Sequence, residues 1–363
     1  MFELIALIVV ALYVLQTLLY VVATYRKFPR LSEDELPTAS VVVAVRDEEA
    51  VIIRCLNALD KLEYPQGKLE IIIIDDHSTD KTGHLIKEFI RDRPRFKLVE
   101  DQEPVAHLRG KSNALVQGLK VAKGEVILTT DADCKVNPLW AKTMASYFTK
   151  DTGLCGGMTC QETGNPFKGM QHLDFMYLLG AGSGTVNAGI PLSVIGNNMA
   201  YSRAAYDETG GYESMPFSVT EDSQLLAAIS ALKKYKIIYP LDKDALIESL
   251  PVEGILQLYK QKKRWSIGGL NVPLHGIAVL VTAFLAHLLA VAILPFFTST
   301  GLTLIASIIS VDLIFLTSVV YRLKLLSTIR YFPFFELYYF VYVITFPFIL
   351  LFSKSVEWKG RQF

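Results

Sequence analysis

Apolar residues along this chain follow two rhythms. Between residues 40 and 133, short apolar runs alternate with stretches whose apolar positions recur every three or four residues, whereas near both ends uncharged apolar runs lengthen to about the thickness of a bilayer. The short runs predict strands at 40–45, 71–74, 96–99 and 126–130, and the periodic stretches between them predict helices at 49–59, 79–89 and 111–121. Strands alternating with helices argue for a mainly parallel sheet in an α/β domain. Further on, 153–160 predicts a strand, and 223–232 and 255–267 predict helices. In 167–179, Phe167, Met170, Leu173, Met176 and Tyr177 fall at helical spacing, which suits a helix packed on the core or one lying at a membrane interface. The glycine-rich run 180–189 reads as a flexible loop, a candidate lid.

The long runs change the class of protein. Leu4 to Thr24 carries no charge and suffices for one membrane span; Glu3 stands where a secretory signal would be positive, so an uncleaved anchor is expected. Arg26, Lys27 and Arg30 follow, which by the positive-inside tendency puts the next segment in the cytoplasm. Residues 272–295 and 302–321 predict two further spans. Residues 334–352, with Glu336 and Pro347, read as another span or as a re-entrant or interfacial segment. A full span would leave Lys354, Lys359 and Arg361 outside, against the charge rule. Asp312, inside a span, is either a functional group or a partner for a neighbouring helix. The expected organisation is an anchor at 1–26, a cytoplasmic domain at 27–250, an interfacial helix at 251–271, a transmembrane region at 272–353 and a basic tail at 354–363.

Thirty-six basic residues balance thirty-six acidic ones, which argues against a nucleic-acid binder. Cys55, Cys134, Cys155 and Cys160 show no zinc spacing and fit reduced thiols in a cytosol-facing domain.

The candidate chemistry gathers at strand ends, where open α/β sheets bind ligands. Asp131-Ala132-Asp133 ends the fourth strand; on an extended chain both carboxylates point the same way and suit Mg²⁺ or Mn²⁺ together with a substrate diphosphate. The same pattern also occurs as a turn that caps a helix. Arg46-Asp47-Glu48-Glu49 follows the first strand and Asp75-Asp76-His77-Ser78-Thr79-Asp80 the second, so three acidic turns share one sheet edge. Lys111 opens a predicted helix, where it is either an anion ligand or a solvated lysine. Glu221 and Asp222 precede the 223–232 helix; a cap explains one of them, and a general base explains the other. Gln261-Lys262-Lys263-Arg264-Trp265 is either a membrane-surface anchor or a clamp on a leaving phosphate and sugar.

Taken in order over residues 40–269, these motifs resemble the membrane-bound members of glycosyltransferase family 2, inverting enzymes with the GT-A fold. The carrying residues are Arg46-Asp47-Glu48-Glu49, Asp75-Asp76-x-Ser78-x-Asp80, Gly110-Lys111-x-x-Ala114-Leu115, Asp131-Ala132-Asp133, Thr220-Glu221-Asp222 and Gln261-x-x-Arg264-Trp265. Glu357-Trp358-Lys359-Gly360-Arg361 also looks like the ending of lipid-glycosylating members. Ala44 replaces a proline common in the first motif, and Asp47 replaces an asparagine.

The resemblance implies a Rossmann-like, mainly parallel cytoplasmic domain flanked by transmembrane helices in the cell membrane. It implies that Glu48, Asp76 and Lys111 contact a nucleotide sugar, UDP-linked, and that Asp131 and Asp133 hold Mg²⁺ or Mn²⁺, with Asp133 closest to the metal. Asp222 would be the base, with Glu221 and Arg264 beside it in the catalytic set, and Gln261, Arg264 and Trp265 would close over the diphosphate and acceptor. Two acceptors stay open. Gln-x-x-Arg-Trp leans toward a processive polysaccharide synthase, while about four expected spans and the tail lean toward a lipid acceptor. A non-catalytic nucleotide-sugar-binding membrane protein is the third reading, and a retained cluster of like charges speaks against it.

Overall fold

The computed structural model describes residues 2–100, 103–268, 274–296, 298–352, 357–358 and 361–362. The chain opens with a long helix, α1 (Phe2–Thr24). Strand and helix then alternate through β1 (Ala39–Val45), α2 (Ile52–Asp60), β2 (Leu69–Asp75), α3 (Thr82–Ile90), β3 (Phe96–Val99), α4 (Lys111–Val121) and β4 (Val126–Thr129). Next come β5 (Lys135–Val136), α5 (Trp140–Ser146), β6 (Thr152–Gly156), β7 (Thr159–Gln161) and the long α6 (Pro166–Asn187). After these lie β8 (Met199–Ser202), α7 (Arg203–Glu208), α8 (Glu221–Ala231), β9 (Lys236–Ile238) and β10 (Ile247–Ser249). The last third is helical: α9 (Ile255–Gly268), α10 (Leu274–Ile293), α11 (Ser299–Arg322) and α12 (Phe332–Phe352).

Two compact units result. Lys27–Cys160 with Ser193–Leu250 forms one; Met1–Arg26, Gln161–Leu192 and Pro251–Phe363 form the other. Residues 161–192, expected within a continuous 27–250 domain, therefore cluster with the terminal helices instead.

The first unit is an α/β layer built on a seven-stranded sheet of order β3-β2-β1-β4-β8-β6-β9. β3, β2, β1 and β4 run parallel, and β8 is antiparallel to β4 and β6. Parallel strands covered on both faces need apolar residues at every position rather than at alternate ones. Ile71 to Ile74 and Val41 to Val43 meet that demand and are fully buried. Val41, Val43, Ile71 and Ile73 pack with Ile52 and Leu56 of α2, Ile86 of α3 and Met144 of α5. On the opposite face, α4 comes so close at Gly118 that an added methyl would stand 2.6 Å from Ile74. Each fully buried isoleucine contributes about 1.5–3 kcal/mol. The order 3-2-1-4 reverses direction at β1, so a crevice opens at the carboxyl ends of β1 and β4. β4 pairs through Thr129 with Val42, leaving β1 to run three residues further, to Val45.

The second unit contains four helices long and apolar enough to cross a membrane: Phe2–Thr24, Gly276–Phe296, Ser299–Arg322 and Leu326–Ile349. α12, which holds the 334–352 segment, is one continuous helix with Pro347 inside it. Residues 272 and 273, at the expected start of the second span, lie outside the described residues, as do Lys354, Lys359 and Gly360 of the tail. The tail's described pairs, Glu357–Trp358 and Arg361–Gln362, form a short antiparallel ladder. Ala6, Val10 and Tyr13 of α1 interlock with Ala286 and Ala290 of α10 and with Leu304, Ile308 and Val311 of α11. Asp312 is fully buried there and accepts hydrogen bonds from the hydroxyls of Tyr13 (2.6 Å) and Tyr177 (2.8 Å). It thus pairs with neighbouring helices.

α6 corrects the reading of 180–189 as a loop. Asn165 caps the helix by accepting from the Lys168 amide, Pro166 supplies a pre-set φ at its first turn, and the helix runs on to Asn187. Its glycines serve close approach: a methyl on Gly169 would lie 2.1 Å from the Tyr331 ring, and one on Gly184 would lie 2.6 Å from Cβ of Tyr20. Of the stripe at 167–179, Met170, Leu173, Met176 and Tyr177 are buried within this helical unit, with Leu173 and Met176 fully enclosed, and Phe167 is half-buried.

Candidate active site

Loops rather than strands present the carboxylates. β4 stops at Thr129, and Asp131 to Asp133 form a turn closed by the Cys134 amide donating to the Asp131 carbonyl at 3.1 Å. The strand-alternation argument for a shared direction of Asp131 and Asp133 therefore does not hold. What holds the turn is Arg54 of α2, which donates to the Asp133 carbonyl (2.8 Å) and pairs with Glu248 (2.9 Å). The two aspartates still act on each other. Burial, then the negative charges of Asp131 and Glu48, push the Asp133 carboxyl up to about 6. Three carboxylates thus gather at the crevice, with Glu48 arriving from the loop after β1.

That loop and the one after β2 form a single hydrogen-bonded surface. The Asp47 amide donates to the Ser78 hydroxyl (3.0 Å), and the Thr79 amide donates to the Asp47 carboxylate (2.7 Å). Glu48 donates its amide to Thr82 (2.8 Å), while the amides of Glu49 and Lys81 bond Asp80 (3.1 Å) and Glu49 (3.0 Å) respectively. Asp47 has a left-handed φ of 49°, a conformation in which an Asp or Asn is favoured over bulkier residues. Its side chain is spent on loop structure. Asp76, buried, is anchored by its own amide to the Val45 carbonyl (2.8 Å), and its carbonyl accepts from Arg46 (2.9 Å).

Lys111 is not a solvated lysine. Its ammonium pairs with Asp131 (2.7 Å) and Glu221 (3.0 Å). Burial alone would lower its pKa, yet those two carboxylates hold it well above the ordinary lysine range. Thr220 makes no side-chain cap, and the Asp222 carboxylate instead accepts from the Ser223 amide (2.7 Å) and, across the unit, from the Gly196 amide (2.7 Å). The Gly196 carbonyl in turn accepts from Thr129 at the end of β4 (2.7 Å), which ties Asp222 to the sheet. Burial and the neighbouring Glu221 raise the Asp222 carboxyl to about 6 against the lowering effect of Lys111. A shallow pocket bordered by Glu221 is walled by Leu108, Tyr212, Met215 and Phe217.

Glu48, Lys111, Asp131, Asp133, Glu221 and Asp222 are thus linked by contact or by charge, and Asp76 lies on the loop that braces Glu48. Gln261, Arg264 and Trp265 lie on α9 in the other compact unit. Sequence reasoning missed Arg54 and Gly196. Arg54 gave only a weak signal, a cation on the helix after β1; Gly196 gave none, because its part is played by a backbone amide.

Among the described residues no group of three His, Cys, Asp or Glu side chains is arranged to cage a metal. The carboxylates of Asp131, which already pairs with Lys111, and of Asp133 still fit Mg²⁺ or Mn²⁺, which take one or two protein carboxylates and complete their shell from substrate phosphates and water.

A parallel 3-2-1-4 sheet continued by the antiparallel β8, with carboxylates at its reversal point, matches the GT-A class of glycosyltransferase fold. Family models agree: the one for glycosyl transferase family 2 matches residues 40–210, and the one for glycosyl transferase family group 2 matches 126–353. The chain belongs to glycosyltransferase family 2. It is 30% identical over 260 residues to a beta-monoglucosyldiacylglycerol synthase of a Nostoc species, covering 69% of this chain and 52% of that protein. It is 32% identical over 257 residues to the poly-beta-1,6-N-acetyl-D-glucosamine synthase of Staphylococcus aureus, covering 68% of this chain and 58% of that protein. The chain therefore spans a little over half the length of these relatives. Among solved structures, the mannosyltransferase PcManGT of Pyrobaculum calidifontis, in complex with GDP-Man and Mn²⁺, superposes with a TM-score of 0.61 at 20% identity, over 93% of this chain and 99% of that one. That likeness shows the fold.

Proposed function

We propose that this protein is an inverting transferase that moves a sugar from a nucleotide diphosphate sugar, UDP-linked, to a hydroxyl of a membrane lipid. The observation that carries the reading is Asp222: a buried carboxylate aligned by two backbone amides, with its proton affinity raised toward neutrality.

In this mechanism Asp222 takes the proton of the acceptor hydroxyl as its oxygen forms a bond to the anomeric carbon. The bond from that carbon to the diphosphate breaks on the opposite face, and its electron pair leaves with the nucleoside diphosphate. One displacement inverts the centre, and a single base with no nucleophilic partner suits it. Glu48 and Asp76 hold the nucleoside, while Lys111, fixed by Glu221, keeps a positive charge beside Asp131. Asp131 and Asp133 would hold Mg²⁺ or Mn²⁺, which when bound offsets charge on the diphosphate. The resemblance assigns Arg264 to the leaving group and Gln261 and Trp265 to the diphosphate and acceptor.

A lipid acceptor is supported by the four helices able to cross a membrane, few for one chain to enclose a polysaccharide channel, and by the likeness to a diacylglycerol-modifying relative. The arginines and lysine after α1 favour a cytoplasmic catalytic unit in the cell membrane. The likeness to a polysaccharide synthase keeps processive synthesis as the second reading. Purified protein in native lipid extract with Mn²⁺ and a panel of radiolabelled nucleotide sugars tests both: label in a discrete organic-soluble band is expected, and label in high-molecular-weight material would overturn the lipid acceptor. Donor binding without any transfer would favour a binding-only role.

A further inference from the structure

Lys262 sits in the middle of the basic run on α9, where a membrane-surface anchor is the simplest expectation. It does not face lipid headgroups. Its side chain is 3% exposed and forms an ion pair with Asp174 of α6, itself 6% exposed. The ammonium also lies 5.1 Å from the ring centres of both Trp265 and Tyr342. One residue further along α6, the Phe175 ring stacks on Trp265 at 5.4 Å with 20° between planes.

We propose that the buried Asp174–Lys262 pair, with the Phe175–Trp265 stack beside it, is a positioning device that fixes the rotation of α9 about its own axis. Residues three apart are neighbours on one helix face, so Lys262 and Trp265 form one line of contact on α6, and Gln261 and Arg264 form a second line about 100° round the helix. Slipping α9 by a single residue would exchange the two lines. Apolar contacts alone tolerate such a slip, whereas a buried ammonium without its carboxylate does not, and setting register is the best-attested use of a buried ion pair. Burial raises the Asp174 carboxyl while Lys262 opposes the rise, so the carboxylate depends on its partner to stay charged.

This inference rests on the proposed roles of Gln261 and Arg264. Four variants of the full chain in nanodiscs separate the two claims: Asp174→Asn, Lys262→Arg, the reversal Asp174→Lys with Lys262→Asp, and Arg264→Ala. Transfer is read with whichever labelled nucleotide sugar the donor panel identifies. Asp174→Asn is expected to lower kcat by about 100-fold, the effect of a small misplacement of catalytic groups, with the donor KM within about twofold of wild type. Lys262→Arg, which keeps the charge, is expected to lose less, and the reversal to recover at least about tenfold of the loss. Wild-type kcat in Asp174→Asn with Arg264→Ala inactive overturns the positioning claim alone. Full turnover in Arg264→Ala overturns the role of Arg264 and the positioning claim with it. A reversal no better than Asp174→Asn, or a loss carried wholly by KM, also overturns it. If Asp174→Asn does not fold, Lys262→Met, which removes the charge, decides: an unchanged kcat rejects the proposal, and a lowered kcat at unchanged KM, with Lys262→Arg losing less, upholds it.

Discussion

The ammonium of Lys111 lies 3.0 Å from the carboxylate of Glu221, and its second contact, to Asp131, makes one cation join the start of α8 to the turn after β4. Removing it by Lys111→Met strands the mostly buried Glu221 carboxylate, while Asp131, 38% exposed, keeps its access to water. A loss of about 1–3 kcal/mol is expected, the buried partner carrying most of it. Thermal unfolding in detergent at neutral pH checks this, with Lys111→Arg as the milder comparison.

Asp222→Asn is expected to cut transfer by at least about 100-fold while leaving nucleotide-sugar binding in place, the span usual for loss of a general base. Binding by calorimetry next to initial rates tests the split. Equal rates in mutant and wild type would remove Asp222 as base.

The raised carboxyl of Asp222 fixes the sign of two pH effects. As a base it must be ionised, so kcat is expected to fall as pH drops through about 6. Stability moves the other way. The folded protein holds this proton more tightly than the unfolded chain, so the contribution is complete below the ordinary carboxylate pKa and is lost as pH rises through about 6. The unfolding temperature of Asp222→Asn should therefore exceed that of wild type most at pH 7.5, with the gap closing toward pH 4.

Chelation is expected to abolish transfer, and Mn²⁺ or Mg²⁺ to restore it. Asp133→Asn should need much more metal for the same rate, because one of two available carboxylates is gone. A metal titration of both proteins distinguishes this from simple misfolding.

In the helical unit, Asp312→Ala removes the acceptor shared by Tyr13 and Tyr177, whose hydroxyls lie 2.7 Å apart, so that one can still donate to the other. A loss of about 1–3 kcal/mol is expected from the one buried hydroxyl left without an acceptor, and less from Asp312→Asn, which can still accept. Thermal unfolding of the two variants in the same detergent orders them.

Local chemistry was legible where it was local. The β-branched runs that became β1 and β2 announced a two-sided buried sheet, and helix α4 begins and ends where its periodicity does. The acidic loops were legible as residues, while their arrangement was not. Asp131 and Asp133 belong to a turn whose shape depends on Arg54, far off in sequence, and the partners of Lys111 come from two other elements. Gly180 to Asn187 reads as loop because glycine weakens an isolated helix; tertiary packing against large rings reverses that preference. Lys262 reads as part of a membrane-surface anchor because its carboxylate lies eighty-eight residues earlier, on α6.

The tight seating of α6 also limits where motion can occur. Gly169 and Gly184 leave no room for even one carbon between the helix backbone and the rings of Tyr331 and Tyr20, so this segment has no clearance to swing. Looseness is left to irregular stretches such as 103–110 and 215–220 of the α/β unit, which are joined where His107 bonds the Met215 carbonyl at 2.6 Å.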